Sequence, residues 1–233
     1  MSTIVTYQQT DSVATITMND GKVNAMSVSM ISEVNNALNQ ALVDKAAVVL
    51  TGRTGLFSAG FDLPVLKAGG TEARQMLRTG FELAERLLSF PKPVVIACSG
   101  HALAMGVFLV LSGDYRIGAE GDFKIGANEV AIGLTMPDFG IEICRQRLAP
   151  AHFNRAVINA EIYTPDQAVV AGFLDQVVPL AELLDVAQQK AIQLTKLNMP
   201  AHAATKLRAR GETLKALRRA IEMGDDIPWA QGE

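Results

Sequence analysis

The chain has 233 residues, 49% of them hydrophobic and 19% charged; it is long enough to bury one sizeable core without disulfides or metal, and too apolar to be disordered. A formal net charge of −3 and a pI near 5.7 exclude a dedicated nucleic-acid binder. The longest unbroken run of apolar residues and glycine, Ala102 to Leu111, is far shorter than the ~20 residues a membrane helix needs.

At the N-terminus, Met1 to Gln9 has neither a basic stretch nor an apolar one of the kind a signal peptide carries, so a cytoplasmic protein is expected. Ile4 to Tyr7 and Ser12 to Met18 are rich in β-branched residues and predict an antiparallel pair joined by Gln8, Gln9, Thr10 and Asp11. Asn19-Asp20-Gly21 then makes a turn. Ser27 is placed to cap a helix carrying Ile31, Val34, Leu38 and Leu42 at helical spacing. Ala46 to Thr51 is continuously apolar, as a buried parallel strand would be. A helical pattern from about Glu72 to Leu88 stops at Pro91-Lys92-Pro93. Val94 to Cys98 predicts a second buried strand, followed by a small-residue turn, Gly100 to Gly106, and an apolar helix to Leu111. Tyr115 to Ile117 and Asp122 to Ile125 predict short strands. Thr164-Pro165-Asp166-Gln167 has the composition of a capping box with proline at the first helical position. Phe173 to Val178 predicts one more strand, and two helices split by Pro200 complete the chain. The strand–strand–helix rhythm recurs at 1–42, 46–90 and 94–111, which gives an α/β core over 1–178 and a helical region over 179–233.

Cys98 and Cys144 lie in apolar surroundings and are expected to be buried free thiols. His101, His152 and His202 share no metal-ligand spacing. Two segments repeat one shape: a buried strand, a small-residue turn and a helix. They run from Val48 through Ala59-Gly60-Phe61-Asp62, and from Val94 through Ala102-Leu103-Ala104-Met105-Gly106. Small residues let a ligand approach the backbone, and N–H groups at a helix start are unpaired. Two such turns facing one point would form an oxyanion hole, although small residues also serve tight strand–helix packing. Glu129 sits in the mostly apolar segment Gly126 to Gly133; buried there, its pKa would rise towards that of a general base, and exposed it would be an ordinary loop residue. Asp114 reads as a turn or cap residue and Asp138 as a helix N-cap.

Together these segments resemble the crotonase (enoyl-CoA hydratase/isomerase) superfamily. The resemblance runs from Ile4 to beyond Lys206 and rests on Gly21-Lys22-Val23-Asn24-Ala25-Met26-Ser27, Phe57-Ser58-Ala59-Gly60-Phe61-Asp62, Lys92-Pro93-Val94, Gly100 to Gly106, Asp114-Tyr115-Arg116-Ile117, Asn128-Glu129 and Ala171 to Pro179. It implies a spiral of strand–strand–helix (ββα) units with a helical trimerisation region, a homotrimer or hexamer, an acyl-CoA thioester as substrate, and no metal or further cofactor. The oxyanion donors would be the backbone N–H groups of Phe61 and Met105. Lys22, Val23, Ala59 and Asp62 would line the CoA site with Phe108 in the substrate pocket. Of seven basic residues between Lys196 and Arg219, Lys206 is the one assigned to CoA.

The sequence departs from the hydratase pattern at one position. Family hydratases place a glutamate three residues beyond the second oxyanion donor, and this chain has Phe108 there. Glu129 is retained, which resembles the single-glutamate enoyl-CoA isomerases. Pro64 replaces a lysine frequent after the first turn, and Ala104-Met105 replaces a Gly-Gly pair. The resemblance favours Δ3-to-Δ2 isomerisation. It leaves open a hydratase or acyl-CoA hydrolase using a second acid such as Asp138, and an acyl-CoA-binding protein with little catalysis, in which Glu129 would face solvent or be held in a salt bridge.

Overall fold

The computed structural model describes residues 3–224. A six-stranded sheet has the order β1 (Val5–Thr10), β2 (Val13–Met18), β3 (Ala47–Thr51), β5 (Val94–Cys98), β7 (Tyr115–Ala119) and β9 (Gln176–Val178). A smaller sheet holds β4 (Gly55–Ser58), β6 (Gly100–Leu103) and β8 (Ile125–Gly126). All neighbours are parallel except β1 and β2. The helices among the described residues are α1 (Val28–Val43), α2 (Leu63–Ala68), α3 (Gly70–Ser89), α4 (Met105–Leu111), α5 (Asp138–Arg145), α6 (Pro150–Val157), α7 (Pro165–Ala171), α8 (Leu183–Thr195), α9 (Met199–Ala209) and α10 (Gly211–Met223). None is long and apolar enough to cross a membrane. This is the expected crotonase-like α/β arrangement: the β1–β2 pair lies wholly in the large sheet, and thereafter β3–β4, β5–β6 and β7–β8 each put one strand in the large sheet and the next in the small one.

The buried strands form as their composition dictates. Along β2, β3 and β5, Ala14, Ile16, Val48, Leu50, Val94 and Ile96 enter the main core. Their neighbours Val13, Ala47, Val49, Val95 and Ala97 pack against Leu183, Ala187 and Ala191 of α8. Both faces of the sheet are therefore covered, which parallel strands require. Ser27 caps α1 by accepting from Met30 N at 3.2 Å, and Thr164 and Gln167 cap α7 reciprocally.

Several local expectations need correction. Gln8, Gln9 and Thr10 belong to β1, which pairs up to Thr10↔Val13. The turn shrinks to Asp11-Ser12 with Asp11 at φ 52°, because a two-residue hairpin with positive φ matches strand twist. The first halves of both small-residue turns are strands, β4 and β6. Helix α2, unforeseen, is capped by Asp62, which accepts from Val65 N at 3.3 Å. Among the described residues, three α-helices rather than two follow residue 179. Pro200 lies in the first turn of α9, where its missing N–H costs nothing, behind the cap Asn198, which accepts from Ala201 N at 3.0 Å.

Polar ties fix the C-terminal helices to the core. Asp114 accepts from Val94 N at 2.8 Å and Lys206 Nζ at 2.5 Å, and its other oxygen lies 3.0 Å from Arg210 Nη1. Lys206 Nζ also donates to the carbonyls of Phe90 at 2.8 Å and Lys92 at 3.0 Å. Arg116 donates to both oxygens of Asp175 at 3.0 and 2.6 Å, joining β7 to the approach to β9. Arg218 of α10 pairs with Glu85 of α3.

These contacts overturn the assignment of Lys206 to CoA. Its ammonium is buried, 7% exposed, and every donor is occupied. Lys206→Met should lower the unfolding free energy by about 2–4 kcal/mol, since a buried carboxylate loses one of its two countercharges. Urea denaturation measures the loss. The KM for acyl-CoA should not change, and a raised KM with unchanged stability would restore the ligand-binding assignment.

Candidate active site

Strands β4 and β6 pair in parallel, Gly55↔Gly100 and Leu56↔His101, so both end at the same edge of the small sheet. The turns that follow touch. A Cβ on Gly60, which sits at φ +100°, would lie 2.8 Å from the Ala104 methyl and 3.4 Å from Met105 N. Ala104 itself takes φ 50° just before α4. The Met26–Phe61 bridge runs from Met26 N to Gly60 O at 2.8 Å, and Phe61 N–H takes no part in it. Met105 N–H, in the first turn of α4, precedes any intrahelical acceptor. The two backbone donors expected to face one point are thus adjacent and without partners among the described residues.

Beside them lies a cavity of about 90 Å³. Its rim holds exposed residues, Ala59, Leu63, Ile132 and Thr135. Its floor is buried and apolar, with Leu66, Leu77, Phe81 and Phe108 between 1% and 7% exposed. The Phe61 ring lies across Gly80 of α3: a Cβ there would come within 2.6 Å of its Cζ. A glycine inside a helix costs about 1 kcal/mol relative to alanine, and here it makes room for the ring.

Glu129 enters from the segment after β8. The β6–β8 pairing, Leu103↔Gly126, carries that segment to the start of α4. Its carbonyl accepts from Ile132 N at 3.1 Å and Leu134 N at 2.9 Å, which fixes the backbone in a 3₁₀ turn. The side chain is 6% exposed. Its Oε2 and the neighbouring Asn128 Oδ1 are buried without hydrogen-bond partners among the described residues. Removal from water pushes the carboxyl pKa up to about 7. Glu129 is not solvent-facing, and among the described residues it has no salt-bridge partner and is the one ionisable residue lining the cavity.

The other expected site residues separate into four groups. Phe108 lines the cavity one turn into α4. Lys22, Val23 and Ala59 are exposed and adjacent: Ala59 N donates to Val23 O at 3.1 Å, and Arg53 holds the Lys22 carbonyl. Asp62 caps α2. Asp138 is exposed and absent from the cavity lining. It does not cap α5 either, since Pro137 holds that position. Sequence reasoning missed Leu77, Gly80 and Phe81, although a glycine between apolar residues spaced four apart on a helix is a readable sign that something packs there. Cys98 and Cys144 are free and buried as expected, and burial pushes the Cys98 thiol up to about 12. No cluster of potential metal ligands occurs among the described residues.

The profile of the enoyl-CoA hydratase/isomerase family matches residues 8–226. A probable enoyl-CoA hydratase of Mycobacterium bovis is 30% identical over 80% of this chain and 71% of its own length. Among solved structures, an enoyl-CoA hydratase/isomerase family protein from Pseudomonas syringae is 50% identical with a TM-score of 0.93, covering 94% of this chain and 96% of the other. An enoyl-CoA isomerase of Mycobacterium tuberculosis is 45% identical with a TM-score of 0.92, covering 95% and 97%.

The buried carboxyl makes stability depend on pH. Glu129 ionises near 7 in the fold against an ordinary 4.5, so the folded protein holds the proton more tightly than the unfolded chain. The fold is unpenalised below about 4.5 and loses stability as pH rises through 7, by up to about 3 kcal/mol. Glu129→Gln should therefore raise the melting temperature at pH 8 and have little effect at pH 4.5. Thermal unfolding across that range tests it, and an equal effect at both pH values would contradict a protonated buried carboxyl.

Proposed function

From the enoyl-CoA hydratase/isomerase family, to which this chain belongs, we propose that it is an enoyl-CoA isomerase moving a double bond from Δ3 to Δ2. The observation that carries this reading is a single buried carboxyl, Glu129, in a cavity whose remaining lining has no ionisable group. The thioester carbonyl docks at the N–H groups of Phe61 and Met105. Glu129 takes a proton from C2, and the electron pair spreads over a dienolate whose negative oxygen the two N–H groups hold. Each donor of this kind contributes about 3–4 kcal/mol. The same carboxyl returns the proton at C4, leaving the double bond between C2 and C3. No water enters the balance, so one acid/base is enough. Lys22, Val23 and Ala59 are proposed to contact the CoA moiety.

A panel of 3-enoyl-CoA and 2-enoyl-CoA substrates tests the assignment. The wild type should isomerise the former and hydrate crotonyl-CoA poorly. Glu129→Gln should retain acyl-CoA binding and lose isomerisation by ~10²–10⁴-fold. The kcat/KM should fall about tenfold per pH unit below 7, as the base becomes protonated. Hydration matching or exceeding isomerisation would replace this reading with the hydratase one.

We also propose a homotrimer or a dimer of trimers. Leu184, Ile192, Leu197 and Leu207 of the C-terminal region are 40–51% exposed, which is costly on a free monomer when such side chains form a contiguous patch. Light scattering at micromolar concentration should give a trimeric or hexameric mass, and a monomer would refute the assembly.

A further inference from the structure

The active-site cavity ends at a wall. Leu77 and Phe81, one turn apart on α3, are 6% and 4% exposed and line it from below. The same two residues also line a second cavity of about 180 Å³, whose other walls are Arg74 and Arg78 of α3, Ala220, Ile221 and Glu222 of α10, and Gly224. The partition is packed on both flanks. The Phe81 ring stacks on Phe139 with centroids 4.4 Å apart and planes 15° from parallel. It meets the Phe61 ring edge-on at 5.7 Å. The Glu85–Arg218 ion pair ties α10 to α3 beside it.

Size then limits what can enter. A dry cavity of roughly 150 Å³ accepts the six carbons of benzene. The space here is about 90 Å³, and the exposure gradient from rim to floor sets the direction of entry. We infer that Leu77 and Phe81 set the acyl-length limit of this site, confining it to short acyl groups of about four to six carbons and shutting longer chains out of the cavity beneath α10. This inference rests on the acyl-CoA reading of the site. It adds the substrate class within that reading and names two specificity-determining residues outside the proton-transfer chemistry.

Binding of saturated acyl-CoAs with four, six, eight and twelve acyl carbons, measured by calorimetry on the wild type, Leu77→Ala and Phe81→Ala, tests the inference without requiring turnover. A methylene that gains a buried site should tighten binding about fourfold. Wild-type affinity should rise from four to six carbons and then stop rising or fall. The variants join the two cavities, so their affinity should keep rising to twelve carbons, with the kcat/KM ratio for long over short 3-enoyl-CoAs increasing at least about tenfold. Wild-type affinity that climbs steadily to twelve carbons overturns the inference, and this arm stands even where a variant fails to fold. A variant that folds with an unchanged length profile overturns it too. Failure of the underlying reading looks different: no acyl-CoA of any length, nor CoA itself, would bind. Binding with the stated length profile but no isomerisation would refute the isomerase assignment alone and leave the length limit supported.

Discussion

A carbonyl oxygen can take on negative charge inside a protein only where hydrogen-bond donors have been left without partners. In the site proposed for this chain, that constraint converges on one contact, Gly60 against Ala104. The parallel pairing of β4 with β6 brings the two turns side by side, and only the near absence of side chains lets them touch. Ala104 accepts a positive φ to do so, at a strain of order 1–3 kcal/mol. The first turn is braced from behind. Ser58 Oγ donates to Asn24 O at 2.7 Å and accepts from Gly60 N at 3.2 Å. Asn24, fully buried, donates to the carbonyls of Met18 at 3.0 Å and Phe57 at 3.1 Å. The loop after β2 is thereby tied to β4, and the exposed residues Lys22 and Val23 are carried to the rim beside Ala59.

Holding such a site has a thermodynamic cost that the scaffold must offset. An unpartnered buried carboxyl, a glycine in the middle of α3 and a strained alanine all oppose folding. Against them stand β3 and β5, buried on both faces, and the paired charges around Asp114. Asp114 and Lys206 are both charged and nearly buried, yet their oxygens and ammonium protons all find partners. Buried charge is tolerated at that junction because it is paired, and at Glu129 because the group can take up a proton instead.

Much of this was legible in the sequence because the signals were local. The Ser27 cap, the Thr164–Gln167 box, the all-apolar strands and the stop at Pro91 each act within a few residues. The two turns were visible as small-residue clusters, and Glu129 as a charge in apolar surroundings. Strands β4 and β6 were not visible, since each has four residues and begins with a glycine; they pair with each other across a long stretch of chain, Gly55↔Gly100, and strand pairing leaves no periodicity over so short a run. Lys206 was misassigned because it shares a helix with Arg208, and Arg210 caps that helix. Composition reports a basic helix, whereas only the fold reveals that Lys206 turns inward to meet an aspartate from residue 114. Asp138 had the sequence of a capping residue after a proline, but the helix starts one position earlier and leaves its carboxylate outside.

Under the proposed isomerase reading, Phe108 shows what a single-acid site gains from an aromatic ring at that place. The ring is 1% exposed and sits edge-on to Phe139 with centroids 6.3 Å apart. Gly140 leaves it room, since a Cβ there would come within 2.7 Å of its Cζ. A second carboxylate in the same volume would lack a countercharge in the lining, and the two acids would oppose each other's ionisation. The ring instead shares the cavity lining with Glu129 as an apolar surface, and desolvation is the largest cause of that carboxyl's raised pKa. Under the isomerase reading, the carboxyl must hold a proton between leaving C2 and reaching C4. A group that ionises near 7 in dry surroundings keeps that proton more readily than one near 4.5 in water. Under that reading, a phenylalanine at the position where the resemblance places a hydratase's second acid also favours the acid that remains.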